Sequence, residues 1–206
     1  MDEHLRHIRE MKIKRTVEAL RRNNIDGYQA DSAEELHALI KGIVPGGASV
    51  ASGGSMTLIQ TGVLDMLKSD FRYVEHDHRD LGSARAIFSA DAFFCSANAI
   101  TEDGWIYNVD GTGNRVAATL YGPEQVVIVA GANKIVGDLD EAINRCREIA
   151  GPANAKRLNR STPCVKTGRC MNCSSPERIC NEYVLIKRQR ARGRIHVIFM
   201  TDDLGY

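Results

Sequence analysis

Nothing in the 206-residue sequence approaches the run of about 20 apolar residues that a membrane-spanning helix needs. Charge of one sign is not in excess either: 27 Lys and Arg face 26 Asp and Glu, for a net charge of +1. No global field therefore draws the chain to nucleic acid or to an anionic membrane. The opening residues, MDEHLRHIREMKIKR, are charged from the second position and lack the apolar core of a secretory signal. These absences predict a cytoplasmic protein with no membrane partner, in a compartment where thiols stay reduced. Cysteine is scarce outside one stretch: Cys95 and Cys146 stand alone, and the other four fall between residues 164 and 180. With 43% hydrophobic and 26% charged residues, the composition excludes disorder as the default.

The chain is long enough for one substantial core and short for two. Residues 3 to 24 carry an apolar stripe at helical spacing, and the 1–45 segment reads as mainly helical. Ser32 and Glu35 form a capping box that starts a helix to about Lys41. After the break at Pro45, a short buried strand is expected over 48–52 and a helix over 57–68. A strand follows over 71–76, with a helical piece over 84–89. The AFFCS run at 92–96 and QVVIVA at 125–130 are continuous apolar stretches, as in strands buried on both faces. Asp103-Gly104 between β-favouring flanks predicts a hairpin turn. Asn114 to Leu120 reads as helical. Asp138 with Glu141 opens a further helix, expected to run to Ala150 and to stop at Gly151-Pro152. Residues 194–200 form a last strand. Strands separated by helices of this length predict a single three-layer α/β domain over 1–206 with a mainly parallel sheet, carrying a cysteine-rich excursion at 160–183.

Ligands of such sheets collect where strands end and helices begin. Three loops qualify. Ser52-Gly53-Gly54-Ser55-Met56-Thr57 exposes backbone amides and two kinds of hydroxyl, which suits a small anion, although Ser55 or Thr57 can equally cap the next helix. Gly111-Thr112-Gly113-Asn114-Arg115 follows Asp110 and opens another helix. Arg115 suits a ligand anion or Asp110. Lys134 follows QVVIVA and faces either a phosphate or carboxylate, or solvent. Glu102, Asp110 and Lys134 are the candidates for acid/base work, while Asp103 is also what an Asp-Gly turn requires. The His76-Asp77-His78 spacing could bind metal on an extended chain but reads more simply as a solvated turn. The basic run Lys187 to Arg194 has no aromatic interleaving and argues for a solvated or cluster-facing loop rather than a nucleic-acid surface.

Cys164, Cys170, Cys173 and Cys180 are spaced with five, two and six residues between them. Bracketed by Pro163, Gly168 and Pro176, they do not look like core residues, whereas Cys95 and Cys146 do. Four thiolates around one metal centre is the leading reading. One Cys-x2-Cys pair with two looser flanks suits an iron–sulfur cluster, [4Fe–4S], better than the two short knuckles of structural zinc, and zinc remains the alternative. From Lys156 to Arg194 there are eleven Lys or Arg against two Glu, which offsets the negative charge of four thiolates.

The blocks ASGGSMTLIQTGVLDML, SANAITEDGWIYNVDGTGNRVAA, VVIVAGANKIV, PANAKRLNRSTPCVKTGRCMNCSSPERICN and DLGY resemble the lactate-utilisation (LUD-domain) family, in its cysteine-bearing form. The resemblance covers about residues 10 to 206. It implies a fold similar to the ribose-5-phosphate isomerase, glucosamine-6-phosphate deaminase and CoA-transferase group. It also implies a link to oxidation of L-lactate to pyruvate beside iron–sulfur and flavin partner proteins, with the four cysteines as the cluster ligands. The related isomerases and transferases use a catalytic glutamate or an Asp/Glu/Lys set, which has no clear counterpart here. Two functions follow as expectations: a redox accessory protein with a small anionic metabolite as ligand, or a non-redox binding protein or isomerase/transferase-like enzyme for a phosphorylated or CoA-linked metabolite with structural zinc.

Overall fold

The computed structural model describes residues 2–76 and 85–206. Among these residues two sheets share the α/β body. The larger has six strands, all parallel, in the order β1 (Asp26–Ala30), β10 (Ile195–Met200), β7 (Gln125–Gly131), β4 (Ala92–Cys95), β2 (Ser49–Ser52) and β3 (Arg72–Tyr73). The smaller has four, in the order β8 (Ile135–Val136), β5 (Ala99–Thr101), β6 (Ile106–Asp110) and β9 (Glu182–Ile186).

The apolar strands are central because both of their faces are covered. Along β7, Val126, Ile128 and Ala130 point into one core with Ile13, Val17 and Leu20 of the helix Glu3–Arg22. Val127 and Val129 point into the other, with Leu36, Ile40, Leu58 and Leu67. The period of two along a strand thus divides one continuous apolar run between two cores. Ile100, Ile106, Ile135 and Ile186 of the smaller sheet pack on the first core, and its other face is covered by the helix Leu139–Arg145 through Ala142.

Both capping signals are realised: Ser32 accepts from the Glu35 N–H and Asp138 from the Glu141 N–H. The two glutamates reach back to Asp31 and Gly137 N–H groups, one residue beyond the cap. The Asp103-Gly104 turn joins β5 to β6, with Gly104 at φ 76° pressed against the backbone of Leu20.

Several expectations are corrected. The helix expected over 57–68 is two helices, Met56–Gln60 and Val63–Asp70, broken where Gly62 takes φ 69°. The strand expected over 71–76 is shorter, Arg72–Tyr73, with the Val74 N–H still donating to the Val50 carbonyl. Gly151-Pro152 does not stop its helix. A π turn over Cys146–Ala150 lets the Gly151 N–H bond the Cys146 carbonyl, and the wider turn carries the proline into Gly151–Arg157. The single expected sheet is two, because the hairpin leaves the main sheet. Residues 77–80 of the histidine cluster, and Ala84 of the 84–89 segment, lie outside the described residues.

Candidate functional site

The cysteine segment is built on the smaller sheet. It leaves the helix Gly151–Arg157, forms one short helix at Pro163–Thr167 that ends at Gly168 with φ 75°, and returns to the sheet as β9. Cys164, Cys170, Cys173 and Cys180 are all free thiols, half-buried, and all four line one shared cavity. Cys146, Arg147, Thr162, Arg178 and Tyr183 complete much of its wall. Donors already approach the sulfurs: the Asn172 N–H is 3.4 Å from Cys170 Sγ, and the Thr162 hydroxyl is 3.2 Å from Cys164 Sγ. Among the described residues no three Cys, His, Asp or Glu side chains converge on a single ion position.

Of the two arginines in this cavity wall, Arg178 is the one whose side chain is bonded to the cysteine segment. It donates to the carbonyls of Cys173 and Cys180, each over 2.7 Å, and approaches Cys180 Sγ at 3.7 Å. Its Nε is buried with no hydrogen-bond partner among the described residues. The adjacent Cys180 thiol and Tyr183 hold the guanidinium pKa above its ordinary value. Soft thiols, sulfur-directed donors and a fixed cation with one unanswered N–H fit a thiolate-bound metal centre.

The second centre lies at the carboxyl ends of the main strands, where a parallel sheet gathers its ligands. Lys134 ends the 3₁₀ turn Ala132–Lys134 that leads from β7 into β8, and only 3% of it is exposed. Its Nζ donates to Ser96 Oγ over 2.9 Å and to Thr57 Oγ1 over 3.1 Å. Burial, then repulsion from Arg145 and Arg115, lowers its pKa to about 7. The sequence left Lys134 open between ligand contact and solvent; the structure places it inside. Ser96 and Arg145 escaped sequence reasoning. Ser96 is the polar residue that ends the AFFC strand, which was the available signal. Arg145 gave none, being one arginine of a polar helix end.

The glycine loops are placed differently. Ser52, Gly53, Gly54 and Ser55 line an open cleft with Tyr73 and Lys68. Ser52 Oγ is 2.7 Å from the Tyr73 hydroxyl, Ser55 caps the next helix, and Thr57 is turned away to Lys134. Arg115 is internally engaged: Nε meets Asp110, Nη1 the Ser96 carbonyl and Asn108, Nη2 Asn98 and the Val109 carbonyl. Asp110 is buried and also accepts the Val116 N–H. The loop Gly111, Thr112, Gly113, Asn114 is tied to the cysteine segment by Asn181, which donates to the Asp110 and Gly111 carbonyls. Glu102 pairs with Arg15 at 2.9 Å and Lys12 at 3.7 Å on the first helix. In the basic run, Lys187 lies over the Trp105 ring, while Arg188, Arg192 and Arg194 donate to backbone carbonyls of this chain. No helix among the described residues is long and apolar enough to cross a membrane.

A six-stranded parallel sheet covered by helices, with a smaller sheet carrying a four-cysteine cavity, defines a three-layer α/β protein. The sequence matches the LUD domain over residues 13–200, and the chain belongs to that family, which is associated with lactate utilisation. The structure is similar to the crystal structure of a DUF162 family protein from Deinococcus radiodurans: TM-score 0.56 at 15% identity, over 93% of this chain and 98% of that one. No curated protein sequence matches.

Proposed function

We propose that the chain is a redox accessory protein in the oxidation of L-lactate to pyruvate. Cys164, Cys170, Cys173 and Cys180 bind an iron–sulfur cluster, [4Fe–4S], that exchanges electrons with iron–sulfur or flavin partner proteins in the cytoplasm. The observation that carries this reading is the single cavity walled by all four cysteines, with the unpartnered Nε of Arg178 buried beside them. Such a cluster, when bound, supplies one-electron transfer. Arg178 and Arg147 offset the thiolate charge, and Met171, Ile179 and Tyr183 limit water at the sulfurs. Asn98, Arg145 and Cys146 separate this cavity from the Lys134 centre: Asn98 and Cys146 line the cavity, and Arg145 donates to the carbonyls of Asn98 and Asn133. An organic acid at the sheet edge and a cluster in the cavity would therefore stand on opposite sides of one thin layer.

The test is metal and acid-labile sulfide content, with a visible spectrum, on protein purified without oxygen. About four irons and four sulfides per chain, with a broad absorption band that bleaches on reduction, are expected. One zinc and no colour would replace the redox role with a structural clip and favour the second reading, chemistry at Lys134 on a phosphorylated or CoA-linked metabolite. The depressed pKa of that buried amine is what supports the second reading.

A further inference from the structure

Two buried cations at the carboxyl ends of the strands have no acid beside them among the described residues. Lys134 is 3% exposed and Arg145 8% exposed, and among the described residues neither lies within ion-pair distance of an Asp or Glu. Arg145 spends its donors on the carbonyls of Asn133 and Asn98. The carboxylate that it senses, Asp203, is held by Arg9 at 3.0 Å. Lys134 Nζ donates to two hydroxyls, and the nearby groups that act most on it are two further cations, Arg145 and Arg115. Buried charge without a counter-charge is costly, so such a pair marks a place where an anion belongs.

What stands there instead is backbone. The segment Asp202–Gly205 crosses the strand ends, admitted by two glycines. A Cβ on Gly131 would lie 2.6 Å from the Asp202 carbonyl and from the Leu204 nitrogen. A Cβ on Gly205, at φ 60°, would lie 2.6 Å from Thr57 Oγ1 and 3.3 Å from Lys134 Nζ. The Leu204 carbonyl accepts from the Thr57 hydroxyl at 3.4 Å, and the Gly205 carbonyl accepts from Asn133 at 3.5 Å. Both contacts are long for hydrogen bonds. Firmer bonds hold the two N–H groups, to Asn133 at 3.1 Å and Gln60 at 2.7 Å.

We propose that Lys134, Thr57 and Ser96 form a binding site for the carboxylate of a small organic acid, and that the Leu204–Gly205 backbone fills this site until the acid displaces it. The Leu204 carbonyl occupies the place of one carboxylate oxygen. One ammonium and two hydroxyls match the two oxygens of a carboxylate, whereas a phosphate offers more acceptors than these groups can answer. The space freed is that of a glycine, which restricts the ligand to a compact acid. Binding also draws a proton: an anion beside Nζ raises a pKa that starts near 7, so affinity is level below about pH 7 and falls as pH rises above it. The site stands independently of the cysteine cavity, and the proposed function enters only in the choice of pyruvate as probe.

Calorimetric titration of pyruvate, acetate and inorganic phosphate into oxygen-free protein tests this, with iron measured on the same sample. Saturable one-to-one binding of pyruvate is expected, about tenfold or more weaker in Lys134→Met. Lys14→Met, an exposed control on the first helix, should bind as the parent does. Gly205→Ala, whose Cβ would push the segment off Thr57, should bind several-fold tighter. Thermal melts establish that each variant is folded. Unchanged affinity in a folded Lys134→Met, or binding of phosphate and neither carboxylate, would overturn the site. Loss of binding in Gly205→Ala would overturn the displacement and make the segment part of the wall. An iron-free sample that binds pyruvate refutes the redox reading alone. An iron-loaded sample that binds no carboxylate refutes this one alone.

Discussion

Lys134 Nζ lies 2.9 Å from Ser96 Oγ with only 3% of the lysine exposed, so a primary amine is buried against a hydroxyl rather than a carboxylate. Its pKa falls from the ordinary lysine value to about 7. Between pH 7 and the unfolded value of about 10.4, the unfolded chain therefore binds more protons than the folded one. Stability contributed by this site rises with pH through that window and is level on either side of it. The slope approaches about 1.4 kcal/mol per pH unit. Lys134→Met removes the titration, so its melting temperature should exceed that of the parent protein at pH 6, with the difference shrinking toward pH 10. Thermal melts across that range check the sign, and a constant difference would contradict it.

Arg115 and Asp110 form a buried pair at 2.7 Å, and the arginine also ties Ser96, Asn98, Asn108 and Val109 together. This guanidinium organises the ends of β4 and β6 around the Lys134 centre. Arg115→Met leaves Asp110 charged and alone, which costs about 3–5 kcal/mol for a buried pair. Asp110→Asn keeps one acceptor oxygen for Arg115 and gives up the bond from the Val116 N–H, while Arg115 retains its four other acceptors. The asparagine variant should therefore cost the less of the two. Denaturant unfolding of both variants gives the order, and a larger loss in the asparagine variant would refute it.

Much of this was legible beforehand. Strand-like apolar runs, capping pairs and the Asp-Gly turn are local signals, and 125–131, Ser32, Asp138 and Gly104 behave as those signals require. The second sheet was not legible, because β5 and β6 carry the same apolar character as the main strands and only packing decides which sheet they join. The passage through Gly151-Pro152 was not legible either. Proline predicts a stop unless a π turn frees the preceding carbonyls, and that turn depends on Gly151 lying 2.9 Å, at its would-be Cβ, from the Cys146 oxygen. At the sites, the cysteines announced themselves by number and spacing. The burial of Lys134 came from a segment seventy residues away in sequence, which no local pattern encodes.

Gly104 fixes how the hairpin of the smaller sheet meets the first helix. Its φ of 76° suits glycine, and an added Cβ would lie 2.6 Å from the Leu20 nitrogen and 2.7 Å from the Ala19 carbonyl carbon. Neither atom can yield, since both belong to the helix backbone. Gly104→Ala therefore combines left-handed strain with overpacking, together about 2–5 kcal/mol. Asn23, which donates to the Asp103 and Gly104 carbonyls, loses its geometry as well. A melting temperature within a degree or two of the parent would show that the hairpin shifts freely on the helix.

Arg178 gives the most direct check on the cavity without any metal bound. Its two 2.7 Å bonds to the Cys173 and Cys180 carbonyls close the loop between those cysteines, and hydrogen bonds from a charged donor contribute about 1.5–3 kcal/mol each. Arg178→Ala removes both, and the segment from Cys170 to Cys180 should open far more often while the two sheets stay folded. In metal-free, reduced protein, alkylation of Cys170, Cys173 and Cys180 by iodoacetamide should quicken by about tenfold or more, read residue by residue by mass spectrometry. Cys95, fully buried with its thiol pushed up to about 11, should remain unreactive in both proteins and report that the core is intact. Equal rates at the three cysteines in parent and variant would mean that the loop is held by the β9 pairing and the Asn181 contacts alone.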